Sequence, residues 1–259
     1  MRTVTVRQVT IGPGMPKLCV PIAGRSREDI LEQAAAIRNS PADLVEWRVD
    51  CLSGISTLSL LTVLTFLSEL RKTLGDLPLL FTFRTAREGG ARDLSPRDYE
   101  ELCKSALSSG LIDLLDVELS QGEEMVSRLL HIAHDKGVPV IVSRHDFEKT
   151  PPRAEIVETL KTMETFGADI AKVAVMPERD EDVETLLNAT ADFCKAADIP
   201  AITISMGDRG LVSRTSGEAY GSAVTFGTVG AASAPGQMDA VLLKAALEKT
   251  HASLERQDS

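Results

Sequence analysis

Eight apolar, β-favouring runs alternate with helical patterns along the 259 residues, the loops between them are short, and no shift in composition marks a boundary. That alternation predicts an α/β protein: one (β/α)8 TIM barrel over residues 1–259, with a short N-terminal extended segment capping the barrel. A doubly wound open sheet is the competing architecture, but nothing resembling G-x-G-x-x-G follows the first strand of the alternation.

The extended opening, Val4 to Ile11, ends at the breaker G-P-G-M-P. Lys17 to Ile22 reads as the first barrel strand. Ser26 caps a helix to about Asn39, and Asp29, three residues on, completes a capping box. Asp43 to Val49 is the second strand. Cys51 to Ser68 carries no charge and approaches the length of a membrane span. Ser56, Ser59, Thr62 and Thr65 recur there every three to four residues beside Leu58, Leu61 and Leu64, a pattern that describes a helix packed on a sheet rather than one in lipid. Pro78 to Arg84 is the third strand. Ser95-Pro96 opens a helix with proline at its first position, which ends near Gly110. Leu111 to Leu119 is the fourth strand, and a helix from Gly122 to Lys136 stops at Gly137. Val138 to His145 is the fifth strand, and the helix opened by Pro151-Pro152 ends at Gly167. The sixth strand lies within Ala168 to Pro177. Pro177 and E-R-D-E-D then start a helix to about Ala197, with carboxylates in the first turn where the helix dipole favours them. Pro200 to Ser205 is the seventh strand, Gly210 to Arg214 a short helical turn, Ser222 to Phe226 the eighth strand, and Gln237 to about Leu254 the closing helix.

A formal charge of -10 and a pI near 5.0 argue against nucleic acid or an anionic membrane as partner, because the summed field repels both. A small anionic ligand is compatible with that charge if basic side chains cluster locally. Cys19, Cys51, Cys103 and Cys194 are widely separated and form no C-x-x-C pair, which suits reduced thiols in a cytosol. The opening M-R-T-V-T-V-R-Q-V-T lacks the apolar core of a secretory signal, so a cytoplasmic location is expected.

The most unusual stretch is A-D-I-A-K-V-A-V-M-P, Ala168 to Pro177, which sets one lysine in an apolar strand. Alternation puts Ile170, Lys172 and Ala174 on one face. Desolvation disfavours the charged form of a buried amine, the usual preparation for Schiff-base chemistry on a carbonyl. On the strand alone, a lysine paired with a carboxylate or snorkelling to water is the commoner reading. In a barrel the active site lies at the C-terminal strand ends, and the same parity there groups Glu46 with Arg48, Thr82 with Arg84, Ser143 with His145, and Ile204 with Met206. A lysine, a histidine, two arginines and a glutamate at one end of a barrel are hard to explain by packing alone.

Each of these has a structural alternative. Glu46 and Arg48 could be an ion pair closing the barrel's top layer. Glu88 in R-E-G-G is either a loop carboxylate or the group that orients His145 and raises its basicity. Arg214 could be solvated or could pair bidentately with a carboxylate ligand. The run G-T-V-G-A-A-S-A-P-G-Q, Gly227 to Gln237, follows the eighth strand, where it could hold phosphate or close as a lid. His131 and His134 lie three apart on a helix with no third metal ligand near, and a solvated face is expected.

Six fragments in order carry a specific signature: E-W-R-V-D from Glu46, F-T-F-R-T-A-R-E-G-G from Phe81, R-H-D-F from Arg144, A-K-V-A-V-M-P, S-M-G with a following S-R, and T-F-G-T-V-G-A-A-S-A-P-G-Q. On these the chain resembles the type I 3-dehydroquinate dehydratases over nearly its whole length. The resemblance implies Lys172 as the Schiff-base lysine, His145 as general acid/base and Glu88 as its positioning group. It further implies that Glu46, Arg48, Arg84, Arg214, Ser233 and Gln237 hold the hydroxyls and carboxylate of 3-dehydroquinate, with Met206, Phe226 and Ala234 lining the pocket. No metal and no organic cofactor is implied, and the family is often a homodimer. Arg144 stands where the family commonly has tyrosine; by alternation it points away from His145, outside the barrel. A class I Schiff-base aldolase, or a barrel that binds such a carboxylate without turnover, are the competing readings.

Overall fold

The computed structural model describes residues 2–53, 59–230 and 236–256. The chain opens on a hairpin, β1 (Val4–Val6) paired antiparallel with β2 (Val9–Ile11), and Arg7 turns it in the left-handed region at φ 52°. Val6 and Ile11 share a buried cluster with Cys19, Leu44, Leu80, Leu114, Ile141 and Ile170, inward residues near the starts of the strands that follow. The hairpin therefore closes the N-terminal end of the barrel, away from the strand ends that carry chemistry.

The barrel strands are β3 (Lys17–Ile22), β4 (Leu44–Arg48), β5 (Leu79–Thr82), β6 (Leu114–Glu118), β7 (Val140–Asp146), β8 (Ile170–Val175), β9 (Ala201–Ser205) and β10 (Val224–Thr228). The helices between and after them are α1 (Arg27–Arg38), α2 (Leu60–Leu74), α3 (Pro96–Ser109), α4 (Glu123–Asp135), α5 (Arg153–Thr165), α6 (Asp180–Ala196), α7 (Leu211–Thr215) and α8 (Ala240–Glu255). From β3 to β9 each strand pairs in parallel with the next, and β10 pairs with β3. The circle closes through a bridge between Ala201 and Ser222 and the bond from Ala223 N to Ala201 O, 2.8 Å. This is the expected (β/α)8 arrangement. A two-residue strand, β11 (Met238–Asp239), adds itself in parallel outside β10.

Alternation divides the interior into two cores. Ile170 and Ala174 of β8 join the cluster inside the barrel, whereas Ala171, Val173 and Val175 face the helices. Lys172 is thereby aimed into the barrel, as its parity requires. Ser26 caps α1 with the full capping box: its hydroxyl accepts from Asp29 N and its own N–H donates to the Asp29 carboxylate, both at 3.1 Å. Pro96 begins α3, and Gly110 ends it at φ 66°.

Three boundaries differ from the sequence reading. The helix of the uncharged stretch starts at Leu60, and Val49–Cys51 instead forms a 3-10 turn whose Asp50 accepts from Ala91 N; Ser56 and Leu58 lie outside the described residues. Its packed stripe is Val63, Leu67, Leu70 and Leu74, while Leu61 is 76% exposed. The acidic helix starts at Asp180 rather than Pro177, since the Asp182 carboxylate reaches back to accept from Glu178 N (2.9 Å) and Arg179 N (3.1 Å). The closing helix starts at Ala240 instead of Gln237: β11 keeps Met238 and Asp239 extended, and Asp239 then caps the helix by accepting from Val241 N at 2.9 Å. Among the described residues no helix is long and apolar enough to cross a membrane.

Candidate active site

The C-terminal strand ends surround a cavity of about 140 Å³. Glu46 and Arg48 reach it from β4, Arg84 and Glu88 from the segment after β5, His145 from β7, Lys172 from β8, Met206 from just after β9, Arg214 from α7 and Phe226 from β10. Gln237 also lines it, so every described candidate converges there; Ser233 and Ala234 lie outside the described residues. Ala174 and Ile204, which parity had set beside Lys172 and Met206, complete the wall together with Gly89 and Phe147, which the sequence had not singled out.

Lys172 is 3% exposed. Its Nζ stands 3.6 Å from Glu46 Oε1, 3.6 Å from Asp116 Oδ2 and 4.4 Å from the centre of the Phe226 ring. The nearest charges are therefore carboxylates, as a buried ammonium requires if it is not to stand uncompensated. The arginines are tied up elsewhere. Arg48 binds Asp50 through two bonds of 2.8 Å each. Arg84 donates to Asp116 at 2.8 Å, Ser143 at 2.9 Å and Glu118 at 3.1 Å. Arg214 donates to the Phe226 carbonyl at 3.2 Å, and burial pulls its guanidinium down to about 10.

His145 Nδ1 lies 3.1 Å from Glu88 Oε2, and the same oxygen accepts the His145 backbone N–H at 3.0 Å. Burial holds the imidazole well below its ordinary pKa, and the positive charges of Arg84, Lys172 and Arg48 push the same way. A neutral ring is thus available as a base, and with Glu88 ionised its hydrogen sits on Nδ1, leaving Nε2 for a ligand. Burial, then the charge of Glu118, raises the Glu88 carboxyl to about 7.

The position of Glu88 is fixed by its turn. Ala86–Glu88 is a 3-10 turn whose first anchor is Glu118, which accepts from Thr85 N (2.8 Å) and Thr85 Oγ1 (2.7 Å). The next two residues must be small. A side chain at Gly90 would run into the Arg84 carbonyl, and one at Gly89, where φ is 82°, would enter the Phe147 ring.

Residues 18–253 match the family described as type I 3-dehydroquinase. The chain belongs to the type I 3-dehydroquinase family. It is similar to a 3-dehydroquinate dehydratase of Listeria welshimeri, 46% identical over 251 residues, 97% of this chain and 99% of the relative. The solved structure of a type I 3-dehydroquinate dehydratase from Clostridium difficile, carrying covalently modified comenic acid, superposes with a TM-score of 0.94 at 45% identity, covering 97% of this chain and 99% of that one. A 3-dehydroquinate dehydratase structure from Geobacillus kaustophilus gives 0.93 at 36% identity, with 97% of each chain covered.

Three buried carboxylates of the site are not among the residues singled out from the sequence. Asp116 and Glu118 share the inward face of β6 with Leu114, and the parity test applied to the other strand ends would have exposed them. Asp50 follows Arg48 in E-W-R-V-D; its carboxylate accepts from Arg84 N at 3.2 Å and Ala91 N at 3.0 Å, joining the ends of two strands. Arg144 is exposed outside the barrel, as alternation predicts. His131 is exposed on α4, 3.5 Å from Asp135, as the solvated reading expects, whereas His134 Nε2 leaves the helix face to bond Asp169, just before β8, at 2.8 Å.

Proposed function

We propose that this member of the type I 3-dehydroquinase family is a hydro-lyase that converts 3-dehydroquinate to 3-dehydroshikimate, the third step of the shikimate pathway, through an imine on Lys172. The observation that carries the reading is that Lys172 and His145, on adjoining strands, face one cavity with Glu88 behind the imidazole. Lys172 condenses with the C3 carbonyl, and the iminium acts as an electron sink that acidifies the neighbouring C2–H. His145 Nε2 removes that proton, and the enamine expels the C1 hydroxyl as water while the same imidazole returns the proton. One base serving both steps needs both departing groups on one face, hence a syn elimination. Hydrolysis of the imine then releases product.

Glu46, Arg48, Arg84, Arg214, Gln237 and, by resemblance, Ser233 hold the hydroxyls and carboxylate, while Met206, Phe226 and Ala234 supply the apolar side. The four separated cysteines support a cytoplasmic enzyme, the acidic balance of the chain argues against a nucleic-acid partner, and the resemblance supports a homodimer. The test mixes the protein with 3-dehydroquinate, adds borohydride and locates any adduct by mass spectrometry while the enone absorbance is followed. An adduct on Lys172 together with enone formation is expected, and Lys172→Ala should abolish both. Enone formation without an adduct would refute the imine.

A further inference from the structure

Asp116 is wholly buried in the middle of β6, with β7 between it and the strand of Lys172. Its Oδ1 is held by two donors, Arg84 Nη2 at 2.8 Å and Ser143 Oγ at 2.7 Å. Ser143 sits beside Lys172 in the β7–β8 register and itself accepts from Arg84 Nη1 at 2.9 Å, so the triangle Arg84, Ser143 and Asp116 leaves the carboxylate one orientation. In that orientation Oδ2 has no hydrogen-bond partner at all, although it is buried and faces Lys172 Nζ at 3.6 Å. An unsatisfied buried carboxylate oxygen is strongly unfavourable, and here it is aimed at the nucleophile.

Glu46 Oε1 stands at the same distance from Nζ, but the two carboxylates are not equivalent. Glu46 Oε1 already accepts from Thr82 Oγ1 at 3.0 Å, and Glu46 forms part of the cavity wall where a ligand lies. Asp116 does not line the cavity; it stands behind the lysine, where substrate does not reach.

We propose that Asp116 is a further catalytic residue, the proton acceptor and counter-charge of Lys172 during imine formation and hydrolysis. The assignment rests on the Lys172 imine. As the ammonium approaches the carbonyl, one of its three protons passes to Asp116 Oδ2 and the freed lone pair forms the C–N bond, breaking the C=O π bond. A second proton moves from nitrogen to the carbonyl oxygen, giving the neutral carbinolamine. Asp116 then returns its proton to the nitrogen it faces, one proton passes from that nitrogen to the hydroxyl, which leaves as water while the nitrogen lone pair forms C=N, and the third proton stays on the iminium nitrogen. Protons and electrons balance, and the carboxylate is left ionised beside the new cation, where opposite charge in a dry site stabilises it. Imine hydrolysis runs the same steps in reverse.

The charged and titratable groups around the pair are Cys19 of β3, Glu46 of β4, Arg84 and Glu88 after β5, Glu118 of β6 and His145 of β7, with Tyr99 and Cys103 of α3 behind Asp116.

The experiment measures the single-turnover rate of adduct formation on Lys172, by borohydride quench and mass spectrometry, between about pH 6 and pH 10 in full-length protein. Loss of a positioned acid or base typically slows a step about 10²–10⁴-fold, so Asp116→Asn should lose at least about 10²-fold near neutrality and approach wild type as hydroxide replaces the carboxylate. An unchanged rate, or a loss of equal size at every pH, overturns the assignment, since a merely structural carboxylate has no reason to be replaced by hydroxide. Ser143→Ala keeps the carboxylate but removes one of the donors that aim it; should Asp116→Asn not fold, a severalfold slower adduct in Ser143→Ala with the wild-type pH profile supports the role, and a wild-type rate overturns it. Turnover by wild type without any Lys172 adduct would sink the imine itself, whereas a normal wild-type adduct with an indifferent Asp116→Asn sinks only the present proposal.

Discussion

Replacing Glu88 by glutamine should make the protein more stable and less active, and the gain in stability should appear only above a defined pH. Glu88 is almost fully buried, and its carboxyl is raised from 4.5 to about 7, first by desolvation and next by the charge of Glu118. A group whose folded pKa lies above its unfolded value favours the fold while it is protonated in both states, and loses that contribution as pH rises through the folded pKa. Below about 4.5 glutamate and glutamine are therefore equivalent in charge. Above about 7 the native protein must hold an ionised Glu88, at a disadvantage of about 3 kcal/mol relative to a neutral side chain. For a chain of this size that corresponds to a rise in melting temperature of roughly 6–12 °C for Glu88→Gln at pH 8, shrinking to a fraction of that at pH 5. Parallel thermal melts at the two pH values read the difference directly. Equal shifts at both, or no gain at pH 8, would refute the burial argument for this carboxyl. The activity should move the opposite way, because the amide cannot hold the imidazole hydrogen by a full charge.

His145→Ala should lower turnover about 10²–10⁴-fold while leaving the borohydride-trapped adduct on Lys172 intact, which separates proton transfer from imine formation. Gly90→Ala should destabilise the protein by about 1–3 kcal/mol in denaturant titration, because the new methyl meets the Arg84 backbone rather than a side chain that can swing away, and the displaced turn should lower kcat as it carries Glu88.

Local chemistry wrote the elements into the chain. Ser26 with Asp29, Pro96 at a first helical position and Gly110 at a helix end each fix a boundary within a few residues of where they stand, so the periodic segments were legible. What escaped depends on partners far along the chain. β11 exists only because Gly227 and Thr228 lie beside it, and no periodicity of two residues announces a strand. The turn at Val49–Cys51 that replaces the expected start of the second helix is pinned by Asp50, which accepts from Ala91 N, 41 residues on. The site divides the same way. Side-chain parity located Lys172, His145, Arg48 and Arg84, but not what each would hold. Arginines expected to face a ligand prove to be bonded first to Asp50, Asp116 and Glu118, because a buried guanidinium needs its counter-charges within reach before any substrate arrives.

The bridge that closes the barrel divides the molecule mechanically. Between β4 and β9 every strand is bonded to the next through a ladder, and this unbroken arc carries Glu46, Arg84, Asp116, His145 and Lys172, the groups that must keep fixed distances. Between β9 and β10 the contact is a single bridge, reinforced by the bond from Thr203 N to Ser222 Oγ at 3.1 Å. Met206 and Arg214 leave the sheet on one side of that join, and Phe226 stands on the other. Fewer bonds must break for the barrel to widen there than anywhere else around its circumference. Loosening of the mouth is therefore expected first at this join, beside Met206, Arg214 and Phe226, while Lys172 and His145 sit on strands laddered on both sides.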